Sequence, residues 1–293
     1  MPDQAMTFPE FKVSKYSGEP HYLVVGHPIS HSLSPVMHNL SLEYYEVDAR
    51  YFAIDLEPRS VNDFISWMNR EPFLGCNITI PFKQHFLNAP ERLSEEAEAV
   101  RAINTISKDE SGASLTGHNT DIYGFQQPLL EYDDHLDYGR GIVFGSGGAS
   151  LAVQFALADL GFEEIVIVSR SPTRVQPLQG AHHVTVADYS QWQSYSEEAS
   201  IVVNTTPVGM GKSKGKSIIQ DHEAHFLSGK VCYDLVYNPL KTKFLEQAEN
   251  EGGIAVNGLD MLISQGSRSH EIWTGNTFPY KQVKNELLTF FES

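Results

Sequence analysis

The chain has 293 residues, 41% of them hydrophobic and 20% charged, and 37 acidic against 21 basic side chains give a formal charge of −16. That length exceeds one ordinary core and points to two domains. The acidity argues against a nucleic-acid or anionic-membrane surface, while small anions stay open to local charge and backbone amides. Cys76 and Cys232 both lie in strand-like apolar runs, so two buried reduced thiols are expected rather than a disulfide framework. The first 20 residues are polar and lack an apolar signal core, and no run reaches membrane-spanning length. A cytoplasmic protein with no membrane partner is the expectation.

Residues 22–26 read as the first buried strand. Ser34 is expected to cap a helix beginning at Pro35, the favoured first helical position for proline. A strand fits 50–54, a helix follows Pro58 through about Asn69, and a third strand over 75–80 is stopped by Pro81. Short strands at 102–107 and 114–117 flank a turn at 108–112, and a helix starts near Thr120. Strands alternating with helices predict a mostly parallel sheet covered on both faces. Residues 131–141 are polar and turn-rich and read as a linker. Beyond it come a strand at 141–144, a helix from Ala149, and strands at 164–168, 199–204, 230–235 and 253–256. This repeated βαβ pattern is that of a doubly wound nucleotide domain. Helices from about Leu259 and from Pro279 close the chain, and residues 211–216, made of Gly, Lys and Ser, read as a mobile loop.

Gly145-Ser146-Gly147-Gly148-Ala149-Ser150 follows a strand and opens a helix. Gly145 permits the tight turn, Gly147 lets backbone amides approach a pyrophosphate, and the helix start adds partial positive charge. Ser150 takes the place of the third glycine, so the motif is a variant. NAD sites place an acid at the end of the next strand, about 20 residues on, to hold the ribose. Here Ser169-Arg170-Ser171-Pro172-Thr173-Arg174 has no acid, and its two arginines and hydroxyls suit a 2′-phosphate. NADP is therefore the expected cofactor.

Asn77-Ile78-Thr79-Ile80-Pro81-Phe82-Lys83 is a β-forming run that a proline stops and a lysine ends. Ser32-Leu33-Ser34 upstream and Asn119-Thr120-Asp121 downstream add hydroxyls, an amide and a carboxylate at strand ends and helix starts. The set suits binding a small polyhydroxylated acid and moving a proton on it. Other readings stay open: Ser32 and Ser34 as a capping turn, Asn104 as a buried strut, Tyr237 as packing and Asp121 as a helix cap. His27, His31 and His38 cluster without a ligand spacing, a cysteine or an acid, so solvated or hydrogen-bonded histidines and no metal are expected.

These segments, with Ala102-Ile103-Asn104-Thr105, Asn204-Thr205-Thr206-Pro207-Val208-Gly209-Met210, Tyr233-Asp234-Leu235-Val236-Tyr237-Asn238-Pro239 and Gly258-Leu259-Asp260-Met261-Leu262-Ile263-Ser264-Gln265, resemble the shikimate dehydrogenase family, in that family's order. The resemblance covers nearly everything from Tyr22 onward. It implies an α/β fold, with an N-terminal substrate-binding domain (21–121 plus 259–293, after an extension over 1–20) beside a Rossmann-type NADP domain (122–258). The active site would lie in the cleft between them. It further implies reversible reduction of 3-dehydroshikimate to shikimate with NADPH, in aromatic amino acid biosynthesis. Lys83 and Asp121 match the catalytic pair. Ser32 and Ser34 would bind the substrate carboxylate, Asn77, Thr79, Asn104 and Gln265 its ring hydroxyls, and Tyr237 would also touch it. Gly145, Ser146, Gly147, Gly148, Ala149, Ser169, Arg170, Ser171, Arg174, Thr205, Gly258 and Met261 would contact the cofactor.

Hydride transfer to a ketone builds negative charge on oxygen, which a placed proton donor offsets. The sequence leaves open which of the pair passes the proton; Lys83 is taken as donor and Asp121 as its orienting partner. Three departures from the family pattern stand out: Arg101 before Ala102, where a glycine is common and a long cation would now flank a substrate loop, Ile122 where glycine often follows the aspartate, and Ser169 in place of a frequent asparagine. The alternatives are a quinate/shikimate dehydrogenase using NAD, which the retained Ser32 and Ser34 and the arginine loop disfavour, and a non-catalytic metabolite-binding relative, which would be free to lose Lys83 and Asp121. Oligomeric state is undecided by the sequence, and a homodimer is compatible with it. The first 20 residues are equally open, as a disordered arm or an added edge strand.

Overall fold

The computed structural model describes residues 5–70, 72–109, 111–112, 114–175, 177–178 and 183–292. The chain folds as two compact units, Met1–Thr120 with Gln265–Ser293, and Asp121–Ser264.

The first unit opens with β1 (Met6–Thr7) and α1 (Phe8–Val13), where Thr7 and Glu10 form a reciprocal capping box. β1 pairs in parallel with β3, so this early segment is an edge strand. Phe8 and Phe11 are buried against Phe64 and Trp67, which makes it part of the core. There follow β2 (His21–Gly26), α2 (Ser34–Tyr44), β3 (Arg50–Asp55), α3 (Val61–Met68), β4 (Phe73–Ile78), β5 (Arg92–Leu93), α4 (Glu95–Val100), β6 (Thr105–Lys108) and β7 (Leu115–His118). The sheet order is β1-β3-β2-β4-β6-β7-β5, parallel through β1, β3, β2 and β4 and antiparallel at β4/β6 and β6/β7. Successive side chains of a strand face opposite ways. Leu23 and Val25 enter one apolar cluster, Tyr22 and Val24 another, so both faces of the sheet are covered.

The second unit holds α5 (Asp121–Leu129), β8 (Arg140–Phe144), α6 (Gly148–Asp159), β9 (Glu164–Val168), β10 (Val184–Ala187), β11 (Ala199–Asn204), β12 (Val231–Asp234), α7 (Lys243–Asn250) and β13 (Ile254–Val256). Its sheet is parallel throughout in the order β10-β9-β8-β11-β12-β13. By rank along the chain this is 3-2-1-4-5-6, the doubly wound dinucleotide order, with its reversal between β8 and β11. Residues 130–135, read as part of a linker, form a 3₁₀ turn inside this unit. α8 (Leu259–Thr274) starts in the second unit and ends in the first, to which α9 (Tyr280–Glu292) also belongs.

Several local expectations change. Ser34 is the first residue of α2 rather than its cap; Leu33 holds the cap position, and the Ser34 N–H donates to the Ser32 hydroxyl at 3.3 Å. β4 stops at Ile78 and β6 starts at Thr105, although the Asn104 backbone still accepts the Ile78 N–H and donates to the His118 carbonyl. Cys76 and Cys232 are buried free thiols, as expected. The 211–216 segment forms a short 3₁₀ turn at Gly211–Ser213.

Candidate active site

In the first unit the candidate residues gather at the carboxyl ends of β2 and β4, just before β6 and near the middle of α8. A side chain at Gly26 would collide there, since its Cβ would fall 2.5 Å from Thr79 Cγ2 and 3.1 Å from the Ile80 oxygen. Thr79 therefore packs over the strand end, and its N–H bonds the Val25 carbonyl. Past a cis Ile80–Pro81 peptide the buried Phe82 ring anchors the turn, and the Lys83 carbonyl accepts the Ile103 N–H. Lys83 is half-buried.

The amides of Asn77 and Asn104 sit in a buried web of neutral groups. Asn77 Oδ1 accepts the Tyr51 hydroxyl at 2.6 Å, while its Nδ2 faces Ser269 Oγ (2.9 Å), Thr105 Oγ1 (3.0 Å) and the Asn104 carbonyl (3.2 Å). Asn104 Oδ1 accepts the Thr120 N–H at 2.8 Å, and its Nδ2 donates to Thr120 Oγ1 (2.9 Å) and Gln265 Oε1 (3.4 Å). Ser269 closes the web, bonding Thr105 and Thr120 and donating to the Gln265 carbonyl one helical turn back. Ser34 joins through the Tyr51 phenol, which burial holds well above its ordinary pKa, so it remains a donor. Asn77, Asn104, Gln265, Ser34 and Ser32 are thus brought together, with Thr79 and Lys83 anchored on the same strand end.

Tyr51, Thr105 and Ser269 were missed from sequence. Ser269 lies four residues after Gln265 on one helix, a spacing that shares a face and was the available signal. The histidine expectation needs correction at His38. It is buried, its ring has no hydrogen-bond partner among the described residues, and it stacks on Tyr51 at 4.2 Å and 2° between planes, whereas His27 is exposed and bonds Asp55. Arg101 is exposed and left-handed (φ 53°, ψ 36°) at the end of α4, which is the physical reason a glycine suits that position.

In the second unit the reversal of strand order places the turn after β8 beside the end of β11. Gly145 has φ 116°, and a Cβ there would stand 2.4 Å from Thr205 Oγ1, so glycine is required twice over. Thr205 donates both its N–H and its hydroxyl to the Phe144 carbonyl, at 2.9 and 2.7 Å. Gly147 is exposed with open space around it, and α6 starts with neither a side-chain cap nor an acid in its first turn. Those free N–H groups and that space suit a pyrophosphate. Ser150, in the third-glycine place, is fully buried and returns its hydroxyl to the Gly145 carbonyl at 2.8 Å, bracing the turn.

At the end of β9, Ser169 is buried and accepts the Ser171 N–H, and its hydroxyl lies 3.4 Å from that of Ser146. Arg170, Ser171 and Arg174 are exposed around it. A second group forms at the end of β12. Gly258 approaches so closely that a Cβ would fall 2.2 Å from the Leu235 oxygen, and its N–H bonds Val236. Tyr237 is half-buried, its phenol pushed up by desolvation, and Met261 is buried. Asp121 is buried as the first residue of α5, followed by the buried Ile122. Among the described residues no group of three His, Cys, Asp or Glu side chains is arranged to hold a metal, and no helix is long and apolar enough to cross a membrane.

The family described as shikimate dehydrogenase substrate binding domain matches residues 24–106. The shikimate dehydrogenase (NADP(+)) of Caldanaerobacter subterraneus subsp. tengcongensis is 34% identical over 90% of this chain and 96% of its own length. Among solved structures, the Thermus thermophilus shikimate 5-dehydrogenase in complex with NADP(H) and shikimate is similar at a TM-score of 0.79, with 31% identity over 90% of this chain and 97% of that one. The quinate dehydrogenase of Corynebacterium glutamicum in complex with NAD has a TM-score of 0.84, with 26% identity over 92% of this chain and 99% of the other.

Proposed function

The chain belongs to the shikimate dehydrogenase family, and we propose that it catalyses the reversible NADPH-dependent reduction of 3-dehydroshikimate to shikimate, a step in aromatic amino acid biosynthesis. The observation that carries this reading is similarity to an NADP(+) enzyme over 90% of the chain. The acid-free Ser169–Arg174 loop, at the strand end where an NAD site would keep a carboxylate, supports the choice of NADP.

The residues divide by unit. Backbone amides over 145–149 and the start of α6 would hold the pyrophosphate. Ser169, Arg170, Ser171 and Arg174 would hold the 2′-phosphate, and Thr205, Gly258 and Met261 would line the rest. Bound there, NADPH supplies the hydride. On the substrate side, Ser32 and Ser34 would take the carboxylate, and Thr79, Asn104 and Gln265 the ring hydroxyls, with Tyr237 a further contact. Asn77 has two amide hydrogens facing three protein acceptors, and one Oδ1 lone pair already used by Tyr51. In this reading it meets the substrate as an acceptor, through the lone pair left. As the ketone carbon receives hydride, its oxygen becomes an alkoxide; Lys83 delivers the proton, oriented by Asp121, and recovers it from solvent.

Similarity to a quinate dehydrogenase with NAD keeps one competing reading in view. Steady-state kinetics with shikimate or quinate, each with NADP or NAD, tests both. The highest kcat/KM is expected for shikimate with NADP; a higher value for quinate with NAD overturns the proposal, and no turnover with any pair indicates a binding protein.

A further inference from the structure

Asp234 ends β12 fully buried, and every group bonded to it is neutral. Its Oδ1 accepts Asn204 Nδ2 at 2.9 Å and the Val236 N–H at 3.0 Å, and its Oδ2 accepts the Thr242 hydroxyl at 2.6 Å. All three partners donate in this arrangement, which an ionised carboxylate meets with both oxygens; of the three, only the Thr242 hydroxyl could turn to accept instead. Burial opposes that ionisation and lifts the Asp234 pKa to about 6, while the three hydrogen bonds pull it back down. A carboxylate kept buried with neutral partners is a costly choice for a strand end, where a neutral side chain would serve as mere packing.

What the carboxylate holds is two loops. Asn204 passes its grip along the first: its other Nδ2 hydrogen goes to the Val208 carbonyl at 3.1 Å, and its Oδ1 accepts the Thr206 N–H and hydroxyl at 3.0 and 2.7 Å. The second runs from Val236 to Thr242, whose hydroxyl also caps α7 through the Leu245 N–H. The loops touch where Gly209, at φ 105°, leaves room for Thr242; a Cβ there would lie 3.3 Å from Thr242 Cγ2 and 3.9 Å from Asp234 Oδ2.

We propose that Asp234 is a positioning residue for the reaction: one carboxylate fixes the loop that carries Thr205 and the loop that carries Tyr237, and so sets a dinucleotide contact and a substrate contact together. The assignment of those two contacts rests on the functional reading given above.

The test uses the full chain, with NADPH binding followed by fluorescence titration and shikimate oxidation by initial rates. Asp234→Ala removes all three bonds and is expected to raise both the NADPH Kd and the shikimate KM by about fivefold or more, with a smaller change in kcat. Asp234→Asn keeps Oδ1 for Asn204 and Val236, and the Thr242 hydroxyl can turn to accept from the new amide; it should return both constants to within about threefold of the parent. Asn204→Ala cuts only the first loop loose and should raise the NADPH Kd while leaving the shikimate KM within about twofold. A purely structural carboxylate would lower the melting temperature of Asp234→Ala and leave both ligand constants unchanged, and that result overturns the proposal. If Asp234→Ala does not fold, an unchanged NADPH Kd in Asn204→Ala overturns it instead. A parent chain that binds NADPH but does not oxidise shikimate refutes the functional reading separately, because the NADPH titration still reports on the first loop.

Discussion

Tyr51→Phe removes a single oxygen and tests whether the neutral web of the first unit serves the substrate. The lost hydroxyl donates to Asn77 Oδ1 at 2.6 Å inside a fully buried setting, and it is also bonded by Ser34. The ring's stacking on His38 at 4.2 Å is kept, so no cavity beyond one oxygen opens. A buried hydrogen bond contributes roughly 1 kcal/mol net, and leaving its acceptor without a donor costs roughly 1–3 kcal/mol. A loss of about 2 kcal/mol is therefore expected, which lowers the melting temperature by about 4–8 °C for a unit of this size. With Oδ1 released, the Asn77 amide loses one of the four contacts that orient it. The shikimate KM should rise about tenfold, equivalent to 1.4 kcal/mol, while the NADP KM stays within about twofold. Thermal melts followed by circular dichroism, together with initial rates at saturating NADP, measure both effects. The expected drop in melting temperature with an unchanged shikimate KM would refute the placement of Asn77 at the substrate, and an unchanged melting temperature would refute the hydrogen bond itself.

Lys83→Ala should lower turnover by roughly two to four decades and leave shikimate binding within about tenfold; near-normal kcat rules out the proton role. Arg101→Gly relieves a left-handed backbone that costs a non-glycine residue roughly 1–2 kcal/mol, less the roughly 0.5–1 kcal/mol of added chain entropy, so the urea midpoint should rise by the equivalent of about 0.5–1 kcal/mol with unaltered kinetics. Acid should weaken the fold: His38 and His270 are buried, desolvation depresses both, His270 to about 4, and neither ring has a hydrogen-bond partner among the described residues. Their native forms stay neutral while the unfolded chain binds protons below the ordinary histidine pKa, so this stability is complete above about pH 6.5 and is lost as pH falls toward 4. Asp234, raised to about 6, acts in the opposite sense over pH 4 to 6, but one carboxyl is outweighed by two histidines. Urea midpoints between pH 7.5 and 4.5 should fall, and His38→Phe should flatten that slope by about one proton, or 1.4 kcal/mol per pH unit; an unchanged slope in the variant contradicts the assignment.

Legibility followed apolar content. β11 over Ala199–Asn204 coincides with its expected span because every residue in it is buried. α7 escaped notice because Lys243–Asn250 is mostly polar, although Thr242 ahead of it was a readable cap. β1 and β5 are two residues each, too short to show any period. Ser34 misled because two serines compete at that turn, and only coordinates tell which one accepts an N–H. Within the candidate site, the need for glycine at 145 could be read because its own surroundings in the chain carry the signal. Tyr51 and Asp234 could not, since each lies in a strand-forming run and acts through a partner distant in sequence, Asn77 for one and Asn204 for the other.

The two units hold their ligand-facing groups by different chemistry. In the first, Asn77 and Asn104 are fixed by Tyr51, Thr105, Thr120 and Ser269, all neutral across the ordinary range. Neutral donors and acceptors suit a polyhydroxylated ligand, and desolvating them costs far less than desolvating ions. In the second, the 204–208 and 236–242 loops hang from one carboxylate that titrates near 6. Protonating Asp234 puts a hydrogen on an oxygen that otherwise only accepts, and the Thr242 hydroxyl can turn to accept it, as it can from the amide of Asp234→Asn. Mild acidification should therefore move the NADPH Kd and the shikimate KM together and by no more than that variant does, within about threefold, while the Asn77 and Asn104 web keeps its geometry.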